Sequence, residues 1–121
     1  MKKILVVDDN PVSRELLREA LGSPEHQILE APHGRDALEV IAEMQPDLVL
    51  MDLQMPVLDG FAALKALRKD ARFARLRVVA VTAFAMRGDR EKALAAGFDG
   101  YVTKPIDSEE LERQVQDLLR D

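Results

Sequence analysis

Cysteine is absent from the 121 residues, which removes disulfides and thiolate metal sites from consideration and fits a reducing compartment. There is no basic run, and the net charge is −5, which argues against a nucleic-acid footprint. No stretch approaches the ~20 apolar residues that a membrane span requires. The opening Met1-Lys2-Lys3 has a charged head, but the apolar run behind it stops at Asp8, too short for a signal peptide. His26 and His33 have no ligand-like spacing, and both read as surface residues. Repeats, low-complexity segments and linkers are missing as well. The chain is the size of one domain, 47% hydrophobic, with material for one core; the expectation is a cytoplasmic protein.

Three short runs, residues 4–7, 48–51 and 78–81, are aliphatic throughout. That is the pattern of parallel strands covered on both faces. Shorter or more polar runs at 27–31 and 100–103 suit edge strands. Helical periodicity fills the intervals. Val12, Leu16, Leu17, Ala20 and Leu21 predict one helix, with Pro11 at its first position. Ala37, Leu38, Ile41 and Ala42 predict a second, stopped by Gln45-Pro46, and Phe61, Leu64 and Leu67 a third. A shorter fourth is expected over 86–96, closed by Gly97. The last carries Leu111, Val115, Leu118 and Leu119, with Asp107 and Glu110 spaced as a capping box. Five strand–helix pairs in strict alternation imply a parallel sheet with helices on both faces. The expected fold is α/β: a doubly wound, flavodoxin-like five-stranded parallel sheet of order 2-1-3-4-5 with five helices. A crevice should open between strands 1 and 3.

The polar residues that end the strands collect at that crevice. Strand 1 ends in Asp8-Asp9, strand 3 in Asp52 and strand 4 in Thr82, while strand 5 leads to Lys104-Pro105. Singly, each has an ordinary explanation as helix-start charge, loop residue, turn cap or solvated lysine. Together they do not, because three carboxylates in one crevice need a counter-charge. All-oxygen ligands suit a hard cation such as Mg2+, with Mn2+ as a substitute. A Mg2+ site beside a lysine is equipment for handling a phosphoryl group.

With these residues in place, the chain resembles the receiver domains of bacterial two-component response regulators, the CheY-like family. The segments ILVVDDNP, PDLVLMDLQMPVLDG, VVAVTAFA and GYVTKPI carry the likeness in order and spacing over essentially the whole chain. The VTAFAMRGD stretch is similar to single-domain regulators of the DivK type and to receivers of hybrid kinases. The resemblance implies a phosphoacceptor role for Asp52, loaded from a histidine kinase or histidine phosphotransfer protein. It implies Mg2+ held by Asp9, Asp52 and the Gln54 backbone carbonyl, with Asp8 acting through water. Lys104 would pair with the phosphoryl oxygens, Thr82 would hydrogen-bond one of them, and Tyr101 would turn inward as Thr82 moves. Pro105 would follow a cis peptide that aims Lys104. Gln54 and Phe84 would tune the lifetime of the phosphorylated state. The implied output is a downstream protein bound on the helix 4–strand 5–helix 5 face, roughly 86–96, 101–102 and 108–118. Self-phosphorylation and self-dephosphorylation would be its only chemistry.

The reading is a stand-alone receiver over residues 1–121 with no output domain. It would be a monomer or a phosphorylation-dependent dimer, contacting neither nucleic acid nor membrane. A phosphorelay shuttle and a phosphorylation-independent docking module are the alternatives. A flavin-binding protein of the same architecture is remote, because Asp8 and Asp9 occupy the turn where a phosphate would have to sit. A phosphatase is disfavoured because Gln54 stands where a second, acid-donating aspartate is required. Arg87-Gly88-Asp89 is a chance adhesion tripeptide, and Met51, Met55 and Met86 read as packing residues.

Overall fold

The structure, a computed structural model, describes residues 2–55, 58–83 and 87–119. The strands are β1 (Lys2–Val7), β2 (His26–Ala31), β3 (Leu48–Asp52), β4 (Arg77–Thr82) and β5 (Gly100–Thr103). The helices are α1 (Pro11–Leu21), α2 (Gly34–Met44), α3 (Gly60–Lys69), α4 (Asp89–Ala96) and α5 (Ser108–Leu119), with a 3-10 turn at Ala71–Phe73. All strand pairs are parallel, and the order is β2-β1-β3-β4-β5, as expected.

Period-two alternation explains the unbroken apolar runs, because successive side chains enter different cores. Ile4, Val6, Leu48, Leu50, Val79 and Val81 pack with Leu17 and Leu21 of α1 and Leu111 and Val115 of α5. Leu5, Val7, Val49, Met51, Val78 and Ala80 pack on the other face with α2, α3 and α4. Met51 and Met55 are buried in this second core, in keeping with a packing role. Register then sets the site. Val7 pairs with Met51 and Val81 with Asp52, so the residues that follow emerge side by side at the carboxyl edge of the sheet.

Several helices depart from the expected pattern. Val12 and Leu16 are 62% and 56% exposed, although they count as apolar in the α1 stripe. At ~100° per residue they lie roughly 140° and 100° around the helix from buried Leu17, outside the contact sector. Phe61 is likewise exposed at the start of α3, where it meets Phe98 edge-on at 5.7 Å, while Ala63, Leu64 and Leu67 fill the core. Helix α4 starts at Asp89, later than expected, after Gly88, whose φ of +91° interrupts helical geometry. Met86 and Phe84 lie outside the described residues. His26 is half-buried rather than at the surface, with its Nδ1 3.0 Å from the Leu21 carbonyl, whereas His33 is exposed.

The caps follow local chemistry. Asn10 Oδ1 accepts from the N–H groups of Val12 (2.9 Å) and Ser13 (3.3 Å) at the start of α1. Asp107 Oδ1 accepts from Glu109 (3.0 Å) and Glu110 (3.4 Å) at α5. Gly97, at φ +112°, ends α4 in the left-handed region that disfavours a side chain. Arg68 fastens the opposite edge of the sheet from the crevice. Its guanidinium donates to the carbonyls of Phe73 (3.0 Å), Leu76 (2.7 Å) and Gly97 (3.1 Å) and to Asp99 (3.3 Å).

Candidate functional site

The crevice at the carboxyl edge gathers residues from four elements. Asp8 follows β1, Asp52 is the last residue of β3 and Thr82 the last of β4, and all three are buried. Asp9 is exposed beside them. Carboxylate oxygens of Asp8, Asp9 and Asp52 lie within 4.8 Å of one another. Lys104, one residue beyond β5, brings Nζ to 2.8 Å from Asp8 Oδ2 and 3.6 Å from Asp52 Oδ2. Ser13 Oγ, on α1, is 3.4 Å from the same ammonium.

The partners of each carboxylate differ. Asp8 accepts the Asn10 N–H at 2.9 Å on Oδ1 and Lys104 on Oδ2. Asp52 Oδ1 accepts the Gln54 N–H at 3.0 Å, which fixes the carboxylate plane. Asp9 has no hydrogen-bond or ion-pair partner for its carboxylate among the described residues. Burial pushes the Asp52 pKa up; the Gln54 N–H and Lys104 oppose this, and the charges of Asp8 and Asp9 add to it. For Lys104, burial works against the ammonium, but the Asp8 hydrogen bond and the Asp52 and Asp8 charges outweigh it and raise its pKa. The lysine is therefore a fixed cation at any ordinary pH.

Three carboxylates against one ammonium leave two negative charges around an all-oxygen cluster. That donor set fits a hard divalent cation and offers nothing to a soft one. Asp9, partnerless and exposed, is the side chain most available for direct ligation. Asp8 is committed to Asn10 and Lys104.

Two glycines shape the loop around Asp52. A Cβ on Gly60 would stand 2.7 Å from the Asp52 carbonyl oxygen, and one on Gly34 would stand 2.6 Å from the Leu58 carbonyl oxygen. Backbone therefore approaches backbone more closely than any side chain allows. Gln54 is exposed at this loop, and the Lys104–Pro105 peptide is cis. Tyr101 is half-buried, with its pKa raised by burial and by the charges of Asp89 and Glu91. Since Ala80 pairs with Tyr101 and Thr82 with Thr103, Thr82 and Tyr101 occupy the same face of adjacent strands. A cleft of about 280 Å³ runs beside Tyr101, lined also by Gln54, Phe61, Asp89 and Lys92 among others.

The crevice thus brings together Asp8, Asp9, Asp52 and Lys104, with Thr82 at the adjacent strand end and Tyr101 one strand over. Asn10, Ser13 and Arg14, whose guanidinium donates to the Asp8 backbone carbonyl, also belong to it, and strand-end reasoning misses them. Asn10 is legible as an N-cap, but nothing in its spacing shows that its N–H also serves Asp8. Arg14 is one charged residue on a surface helix, with no pattern to mark it.

Comparison with known proteins gives a consistent result. Residues 4–116 match the family described as the response regulator receiver domain. The polar-differentiation response regulator DivK of Brucella anthropi is 36% identical over 105 residues, covering 87% of this chain and 85% of that protein. A putative response regulator from Chloroflexus aurantiacus superposes with a TM-score of 0.93 at 27% identity, covering 99% of this chain and 98% of the other. The receiver domain of a sensor histidine kinase from Pseudomonas aeruginosa, solved with a magnesium ion coordinated in its active site cleft, has a TM-score of 0.89 at 34% identity. It too covers 99% of this chain and 98% of its own.

Proposed function

The chain belongs to the response regulator receiver domain family, and from that premise we propose that Asp52 is its phosphoacceptor and Lys104 and Thr82 its phosphoryl-binding side chains. Receiver domains are phosphorylation-switched signalling modules that work with histidine kinases and downstream targets, and they bind Mg2+ at an acidic site. The observation that carries the assignment is the grouping of three carboxylates within 4.8 Å of one another, two of them paired with one lysine.

In this reading an Asp52 oxygen attacks the phosphorus of a phosphohistidine or a small phosphodonor. The new O–P bond forms as the P–N or P–O bond to the leaving group breaks. Phosphoryl transfer of this kind depends on positioning and charge stabilisation rather than on covalent help. The Gln54 N–H holds the Asp52 carboxylate in one orientation. Lys104 exchanges its contacts with Asp8 and Asp52 for the incoming phosphoryl oxygens. Asp9 and Asp52 would hold Mg2+ directly with the Gln54 carbonyl, and Asp8 through water. Bound there, the ion supplies the divalent charge that offsets the carboxylates and the phosphoryl group.

The phosphorylated side chain adds charge and acceptors beside Thr82. Thr82 moving toward it opens space on the face it shares with Tyr101, and inward packing of Tyr101 changes the α4–β5–α5 surface. The downstream protein would dock there. Gln54, exposed at this loop, would influence water access to the phosphoryl group, and Phe84 would do the same.

Incubation with Mg2+ and acetyl phosphate or phosphoramidate, followed by intact-mass measurement, tests the core of this. One added phosphoryl group is expected on the wild type and none on Asp52→Asn. Labelling that persists in Asp52→Asn overturns the assignment.

A further inference from the structure

The proposed chemistry leaves a half-buried cation beside the crevice unassigned. Arg14, in the early part of α1, turns back over the helix start, and its Nη1 donates to the backbone carbonyl of Asp8 at 2.6 Å. Its Nε lies 3.4 Å from Oε1 of Glu30, near the end of edge strand β2, and Glu30 Oε2 lies 3.1 Å from Arg18. The Arg14 side chain is only 19% exposed, against 56% for Arg18. A guanidinium withdrawn from water makes its contacts through a rigid fork, so both partners are held in fixed relation.

The carbonyl it holds is a consequential one. The C=O of Asp8 and the N–H of Asp9 belong to one planar peptide unit, so fixing the oxygen fixes the direction in which Asp9 departs. Asp8 has other restraints: its N–H donates to the Ala31 carbonyl at 3.1 Å, and its carboxylate is held by Asn10 and Lys104. The Asp9 carboxylate has none among the described residues, yet it stands within 4.8 Å of Asp8 and Asp52 carboxylate oxygens. Its place in the cluster therefore depends on its backbone.

We propose that Arg14 is a positioning residue for the cation pocket: it locks the Asp8–Asp9 peptide so that Asp9 faces the ion, while Glu30 offsets its charge. The proposal rests on reading Asp8, Asp9 and Asp52 as the Mg2+ site. Geometry and electrostatics predict opposite signs. Removing a bare cation beside three carboxylates would tighten Mg2+ binding, whereas releasing the peptide plane loosens it.

Calorimetric titration of the protein with MgCl2, beside thermal melts, separates these. Arg14→Met should weaken Mg2+ binding by about tenfold, the scale seen when a group supporting a metal ligand is lost. The charge-balanced double variant Arg14→Met/Glu30→Gln should be weakened just as much. Arg14→Lys, a point donor without the fork, should fall between wild type and Arg14→Met, and it decides the matter if Arg14→Met does not fold. Arg68→Met, which removes the clamp at the opposite edge, should lower the melting temperature and leave the Mg2+ Kd unchanged. Mg2+ binding by Arg14→Met equal to or tighter than wild type overturns the proposal. Absence of Mg2+ binding by the wild type overturns the underlying site reading instead, and the proposal with it.

Discussion

Burial of Asp52 among like charges makes the proposed phosphoacceptor a local source of instability. Its pKa is raised above the ordinary 3.8, by burial first, so between that value and the raised one the folded protein binds more protons than the unfolded chain. Stability therefore falls as pH rises through this window, and ionised Asp52 weakens the fold at neutral pH. Asp52→Asn removes that charge and leaves Lys104 paired with Asp8 at 2.8 Å. In metal-free buffer at pH 7 it should raise stability by on the order of 1 kcal/mol, or ~4 °C in melting temperature. The gain should vanish in melts below the ordinary carboxylate range, where wild-type Asp52 is protonated too. Asp8, Asp9, Asp52, Thr82 and Lys104 are legible in the sequence because each is tied to the end of a recognisable strand. Arg14 and Glu30 are not, because a contact from a helix to the next strand's peptide leaves no local pattern.

Among the elements, strands were the easier to read. A fully covered parallel strand needs an unbroken aliphatic run, and 4–7, 48–51 and 78–81 have one. Helix faces were harder, because α1 offers more apolar residues than its contact sector accepts, and Val12 and Leu16 are left outside. The end of α4 was legible in Gly97. Its start depended on Gly88, which gives the helix no side-chain cap. Arg68 compensates at the other end by tying Gly97, Phe73 and Leu76 together. Arg68→Met should leave several carbonyls without their charged donor and destabilise the fold by about 2 kcal/mol, measured by urea unfolding. Asn10→Ala removes the α1 cap and should lose about 1 kcal/mol in the same assay.

At the scale of the whole molecule, the carboxylate cluster couples cation binding to folding. A ligand that binds only the native state at ~100 times its Kd adds about 2.7 kcal/mol of stability. Saturating MgCl2 should therefore raise the melting temperature, EDTA should reverse the rise, and Asp9→Asn should abolish most of it. The sheet order that makes this possible is legible from the alternation of elements together with the greater apolarity of strands 1, 3 and 4, which marks them as central, while the distances that decide ligation are not, since they depend on register. The ion pair between Asp8 and Lys104 spans 96 positions, and that separation is also a separation in time. At ~5–20 residues per second, a ribosome delivers the lysine about 5–20 s after the aspartate. From residue 52 to residue 103 the nascent chain carries its acids and its proposed acceptor but not the cation that would receive a phosphoryl group. On the roles proposed above, competence to hold a phosphoryl group arrives with the residue just after the last strand, and a chain cut before residue 104 should not carry a stable phosphoryl group.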